Sequence, residues 1–86
     1  MLHNSFDYDG NKLEYEVIQY RESMDAEWAS PDSMDDLTRA DQVLVSVTNE
    51  DTESTEFFYI DGPFEDEDQL IYEISETIEH GDYELA

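Results

Sequence analysis

The 86-residue chain has no cysteine, two prolines, three glycines and only three Lys and Arg. Without cysteine there are no disulfides, no thiolate nucleophile and no cysteine-based zinc site. Lys12, Arg21 and Arg39 are too few to assemble the basic patch that nucleic-acid binding requires, so direct contact with DNA or RNA is not expected. No stretch approaches the roughly 18 apolar residues of a membrane-spanning helix. Met1-Leu2-His3-Asn4 offers neither the basic region nor the apolar run of a signal peptide. Anionic membrane surfaces would repel the chain, so a cytoplasmic protein is expected. Histidine is also scarce: His3 and His80 stand alone, without nucleophile or metal-ligand spacing around them.

What is abundant is acid. The chain carries 25 Asp and Glu, giving a formal charge of −22. Ordinary proteins have a comparable charged fraction but mix the signs. With one sign dominant, folding works against self-repulsion, and charge alone would point to disorder. Apolar residues at 38%, with 13% aromatic, argue instead for a folded domain. At this length folding buries roughly 60–65% of the unfolded surface, so one small core is expected.

The periodicity predicts where that core comes from. Asp9-Gly10, between Phe6-Asp7-Tyr8 and the run from Lys12 to Tyr20, is a strong hairpin signal. Leu13, Tyr15 and Val17 alternate with Glu14 and Glu16, as in a half-buried strand, and Ile18 and Tyr20 break the alternation where a bulge or twist is expected. Ser23 is a candidate cap for a short helical turn through Trp28, and Ser30-Pro31-Asp32 for a short helix with Met34 and Leu37 facing inward. Val43, Val45 and Val47 mark a strand, residues 49–54 a polar turn, and Phe57 to Ile60 another strand. Phe64 to His80 reads as the main helix, with Leu70, Ile71, Ile74, Thr77 and Ile78 on one stripe. Glu65 to Asp68 complement its dipole, and His80-Gly81 end it. The expected fold is α+β: an antiparallel sheet of about four strands with the C-terminal helix on one face. Tyr15, Phe57, Phe58 and Tyr59 are expected in the core or in cross-strand pairs, and Trp28 and Met24 in the core or else as an apolar interface anchor.

Three acidic groups stand out as candidate partner-binding residues. The segment after the second strand holds Glu22, Asp25, Glu27, Asp32, Asp35 and Asp36, and the polar turn holds Glu50, Asp51 and Glu53. On the main helix, Glu65, Asp68, Glu76 and Glu79, with Tyr72 among them, fall opposite the isoleucine stripe. Over 17 residues, roughly 25 Å of axis, that helix is expected to carry seven acids. This is close to the one phosphate per about 3.4 Å along a DNA strand. Carboxylates 5–6 Å apart repel by only about 0.8 kcal/mol in bulk water, which a monomer can bear and a basic groove would relieve.

Other chemistry is poorly served. Asp7-Tyr8-Asp9-Gly10-Asn11 opens like a calcium loop but has Lys12 where glycine and Ile18 where glutamate are required. There is no glycine-rich phosphate loop. Acid–base hydrolysis needs a carboxylate in a pocket that shifts its pKa, and so small a domain has little room for one. The chain reads as a non-enzyme with no metal or cofactor.

In size, charge and α+β build it resembles the DNA-mimic inhibitors carried by phages and other mobile elements: anti-restriction proteins, anti-CRISPR proteins and the uracil-DNA glycosylase inhibitor. Val17-Ile18-Gln19 followed by Glu22-Ser23, and Asp41 to Val45 followed by an acidic turn, are similar to segments of the glycosylase inhibitor, with Tyr20-Arg21 as an insertion. The resemblance implies that Glu22 and Ser23 lie against an enzyme's DNA-binding rim. The expected partner is a basic protein with a DNA-binding groove, met by a monomer or homodimer. Three alternatives stay open on the sequence: a domain adapted to molar salt, an acidic regulator of a basic protein without nucleic-acid mimicry, and a surface that buffers divalent cations.

Overall fold

The computed structural model describes residues 2–81. Four strands, β1 (Leu2–Tyr8), β2 (Asn11–Arg21), β3 (Gln42–Asn49) and β4 (Ser54–Asp61), form an antiparallel meander in the order β1-β2-β3-β4. A short helix α1 (Met34–Leu37) lies between β2 and β3, and α2 (Glu67–His80) follows β4. The fold is α+β, as the alternation of the strands and the isoleucine stripe predict.

The first hairpin closes through Asp9 (φ 50°) and Gly10 (φ 83°), both left-handed, the conformation of a tight two-residue turn that matches strand twist. Register slips between Val17 and Gln19, so the broken alternation at Ile18 is a bulge. The β3–β4 turn is held by Asn49, buried to 1% exposure, whose Oδ1 accepts from the Asp51 amide at 3.0 Å.

One face of the sheet makes the core. Leu13, Tyr15 and Val17 of β2, Val43, Val45 and Val47 of β3, and Phe58 and Ile60 of β4 are buried there beneath Leu70, Ile74 and Ile78 of α2. Leu37, Ala40 and Phe64 complete it, with Met34 partly buried against them. Gly62 passes so close to the Ala40 carbonyl that an added Cβ would overlap it.

Several local expectations are corrected. The main helix begins at Glu67 rather than Phe64. Asp66 is its N-cap and accepts from the Gln69 amide at 2.9 Å, while Gln69 Oε1 accepts from the Glu65 amide at 2.9 Å. Phe64 turns into the core, fully buried, because the chain must first cross from β4 past α1, where its amide donates to the Leu37 carbonyl at 3.1 Å. Five acids therefore sit on the 14-residue helix itself, not seven. Ser30 does not cap α1: Ser33 holds the N-cap position without a side-chain bond, and Pro31 is buried ahead of it. After Ser23 the chain makes one turn, with the Ala26 amide donating to the Ser23 carbonyl at 3.1 Å, but does not continue helically to Trp28, because Tyr20 and Ala29 pair there by two backbone bonds of 2.8 and 2.9 Å. Of the four aromatics expected in the core or in cross-strand pairs, Tyr15 and Phe58 point inward, and Phe57 and Tyr59, 61% and 65% exposed on the opposite face, pair across strands with Ser46 and Leu44. Met24 is 56% exposed and Trp28 half-buried, so neither fills the core.

Candidate partner-binding surface

The acids come from every element except β3, yet none of the described Asp or Glu is buried. The strands explain this on the sheet: Glu14 and Glu16 occupy the pleat positions opposite Leu13, Tyr15 and Val17, and period two sends them away from the core. On α2, Asp68, Tyr72, Glu76 and Glu79 fall within about 80° of one another at 100° per residue, across from the buried Leu70, Ile74 and Ile78.

Little cation is available to neutralise them. Arg39 contacts Asp36 at 3.2 Å and Glu22 at 3.9 Å. Arg21 spends its guanidinium on Gln42 Oε1, at 2.6 and 3.1 Å, and on the Met24 carbonyl at 3.1 Å. Lys12, exposed, lies opposite Asp7 in the β1–β2 register. Among the described residues the only other ion pair is His80 Nε2 with Glu76 Oε2 at 3.0 Å.

The structure gathers some of the predicted residues and separates others. Glu22, Asp32 and Asp36 converge: Arg39 bridges Glu22 and Asp36, and Asp36 accepts from the Asp32 amide at 2.8 Å. Asp25, Glu27 and Asp35 lie exposed on the same connection, at the sheet end where β2 finishes and β3 begins. Glu50, Asp51 and Glu53 occupy the other end, beside the Asp9-Gly10 turn, because Leu13 pairs with Asn49. A strand of eight residues, roughly 26 Å, separates these two groups. The third group lies on α2, over the core face, with Glu65 just ahead of its cap. The three groups thus distribute around a body of 35 × 22 × 18 Å rather than merging into one patch.

Two tyrosines feel this field. Tyr72 on the helix surface is raised above its ordinary value, first by its hydrogen bond to Glu76, then by that carboxylate's charge. Tyr15 is raised further, first by burial and then by Glu67, whose carboxylate also accepts from Asn4 Nδ2 at 2.6 Å. Glu67 thereby ties the start of α2 to β1 and β2 and serves structure rather than the outer surface. Glu76, Glu79 and His80 bring ligand atoms within 4.8 Å of one another. They are solvent-facing, and a cation at His80 suits a helix C-terminus without any metal.

Sequence reasoning missed an outward-facing row, Phe57 and Tyr59 of β4, with Leu44 opposite Tyr59 on β3. The signal was available: Phe57-Phe58-Tyr59 cannot all point one way in a strand, and a single helix covers a single face of a sheet.

No helix among the described residues is long and apolar enough to cross a membrane. No protein-family model, no curated protein and no solved structure matches this chain.

Proposed function

We propose that this chain is a non-enzymatic DNA mimic, which occupies the nucleic-acid-binding groove of a basic host protein or defence nuclease complex and excludes DNA from it. The observation that carries the reading is the state of the acids: a formal charge of −22 on a well-packed fold, with no described carboxylate buried. Carboxylates held on strands, turns and a helix stand in for phosphates, and charge-assisted bonds to Arg and Lys of the groove replace those that DNA would make. Counterions released from both surfaces add affinity and make it fall with salt. The long dimension of 35 Å spans about one turn of duplex DNA, 34–36 Å. Acid groups at both ends and along α2 could therefore engage a groove that holds one helical turn.

The test is affinity capture from a bacterial lysate at about 0.15 M salt, with and without excess duplex DNA, followed by mass spectrometry. The expected result is a saturable DNA-binding partner released by DNA. Retention of many basic proteins, all lost together at slightly higher salt, would overturn the reading and assign the acidity to generic solvation or life in concentrated salt.

A further inference from the structure

The sheet face turned away from α2 differs in kind from the rest of the surface. Along β4 it presents Thr55, Phe57, Tyr59 and Asp61. Opposite them on β3 lie Leu44 and Ser46, and beyond these on β2 lies Glu16. Two aromatic side chains more than half exposed on one small face would ordinarily be buried or replaced. Tyr59 is also held in position. Trp28 packs on Tyr59 with ring centroids 5.8 Å apart and a tilt of 51°. Arg21 lies 4.7 Å over the Trp28 ring while forked onto Gln42. The platform is assembled before any partner arrives, which lowers the ordering entropy of binding.

Beside Phe57, across Ser46, is a recess of about 210 Å³ lined by His3, Glu14, Glu16, Ser46 and Thr48. At about 30 Å³ per water it has room for a side-chain head group. Two carboxylates in the recess, with the exposed Phe57 ring on the neighbouring strand, suit one chemistry above others, a guanidinium, which takes carboxylates in its plane and an aromatic ring on its face. The molecule already displays the second half of that arrangement in Arg21 over Trp28.

We infer that this open sheet face, centred on Phe57, Tyr59 and Trp28 and flanked by Glu14, Glu16 and Asp61, docks an arginine-rich segment of the partner protein. The inference rests on the DNA-mimic reading for the partner's basic character and adds where the partner is anchored. Charge complementarity selects this occupant. A second copy of the chain would bring another −22 against the same field, whereas an arginine-rich strand meets carboxylates at the edges and aromatic faces at the centre. The division of labour is the usual one: a desolvated aromatic centre sets residence time, and the surrounding acids set steering and salt dependence.

Trp28 is the single tryptophan and sits on the platform, so its emission reports occupancy directly. The probe is a short synthetic peptide alternating arginine and leucine, titrated at about 0.15 M salt. Expected are a saturable change in Trp28 emission and a Kd raised at least about tenfold in the double variant Phe57→Thr, Tyr59→Thr, which keeps strand propensity. The control variant Glu73→Gln on α2, across the sheet from the platform, should move Kd less than about threefold. Unchanged thermal unfolding establishes that each variant is folded. Absence of peptide binding, or binding that leaves Trp28 silent and ignores Phe57 and Tyr59, overturns the inference. So does a dimer in sedimentation that Phe57→Thr converts to monomer, since the face then takes a second copy. Peptide binding here in the absence of any DNA-displaced partner would overturn the mimicry reading alone. A DNA-displaced partner indifferent to Phe57 and Tyr59 would overturn the platform alone.

Discussion

Tyr15 is the residue at which the acidity of the chain reaches the core. Its ring is 3% exposed among Leu13, Val17 and Phe6, with the Phe6 ring centroid 6.1 Å away, and its hydroxyl meets Glu67. Burial, and then the carboxylate beside it, hold the phenol protonated well beyond its ordinary pH range. The folded form therefore binds this proton more tightly than the unfolded form, and the stability so gained is complete below about pH 10, where an unfolded tyrosine begins to ionise. It is lost as pH climbs from there towards the raised value. Urea unfolding at a series of pH values should show a midpoint that declines above about pH 10 in the native chain, and less steeply in Tyr15→Phe. Parallel declines in the two proteins would show that Tyr15 is not the group responsible.

At the scale of elements, the start of α2 rests on a few polar contacts. Asp66 satisfies the Gln69 amide, one of those the first turn leaves without a partner, and Gln69 Oε1 in turn accepts from the Glu65 amide just ahead of the cap. Asp66→Ala should destabilise the fold by about 1 kcal/mol, read from chemical denaturation, while Asp66→Asn, which keeps the acceptor, should recover most of the loss. An equal loss in both would mean that charge at the dipole, not the cap bond, is what matters. The same boundary shows what a sequence discloses. The alternation of Val43, Val45 and Val47, the Asp9-Gly10 turn and the spacing of Leu70, Ile74 and Ile78 are local signals that tertiary structure had no reason to override. The helix start was not legible, because Phe64 and the acids after it fit a first helical turn equally well, and only the path past Ala40 and Leu37 draws Phe64 into the core. Trp28 was hidden for a related reason: its neighbours, Arg21 and Tyr59, come from two strands, and no spacing in the chain announces their meeting. The acidic groups were legible as groups, whereas their separation to the two ends of the sheet followed only from the register.

Across the whole molecule, carboxylates with almost no cations beside them repel one another and oppose the compact state. Raising salt from about 0.02 M to about 0.5 M shrinks the screening length to a few ångströms and weakens that repulsion. Thermal unfolding should shift upward with sodium chloride by roughly 5 °C or more, since about 1 kcal/mol moves the midpoint of a domain this size by 4–8 °C. A flat response would mean that the spread of acids over all faces already keeps them far enough apart.

Among the described residues the meander also ends in two edge strands, β1 and β4, and β4 carries three successive aromatics. An edge strand of that composition is a template on which further chains could add, strand upon strand, into a fibre. The surface acids keep copies of the protein apart, so the chain can leave an aromatic strand open only while it stays far above its isoelectric point of about 4.1. Close to that isoelectric point the guard is withdrawn while the strand remains, and solubility itself becomes a property of pH.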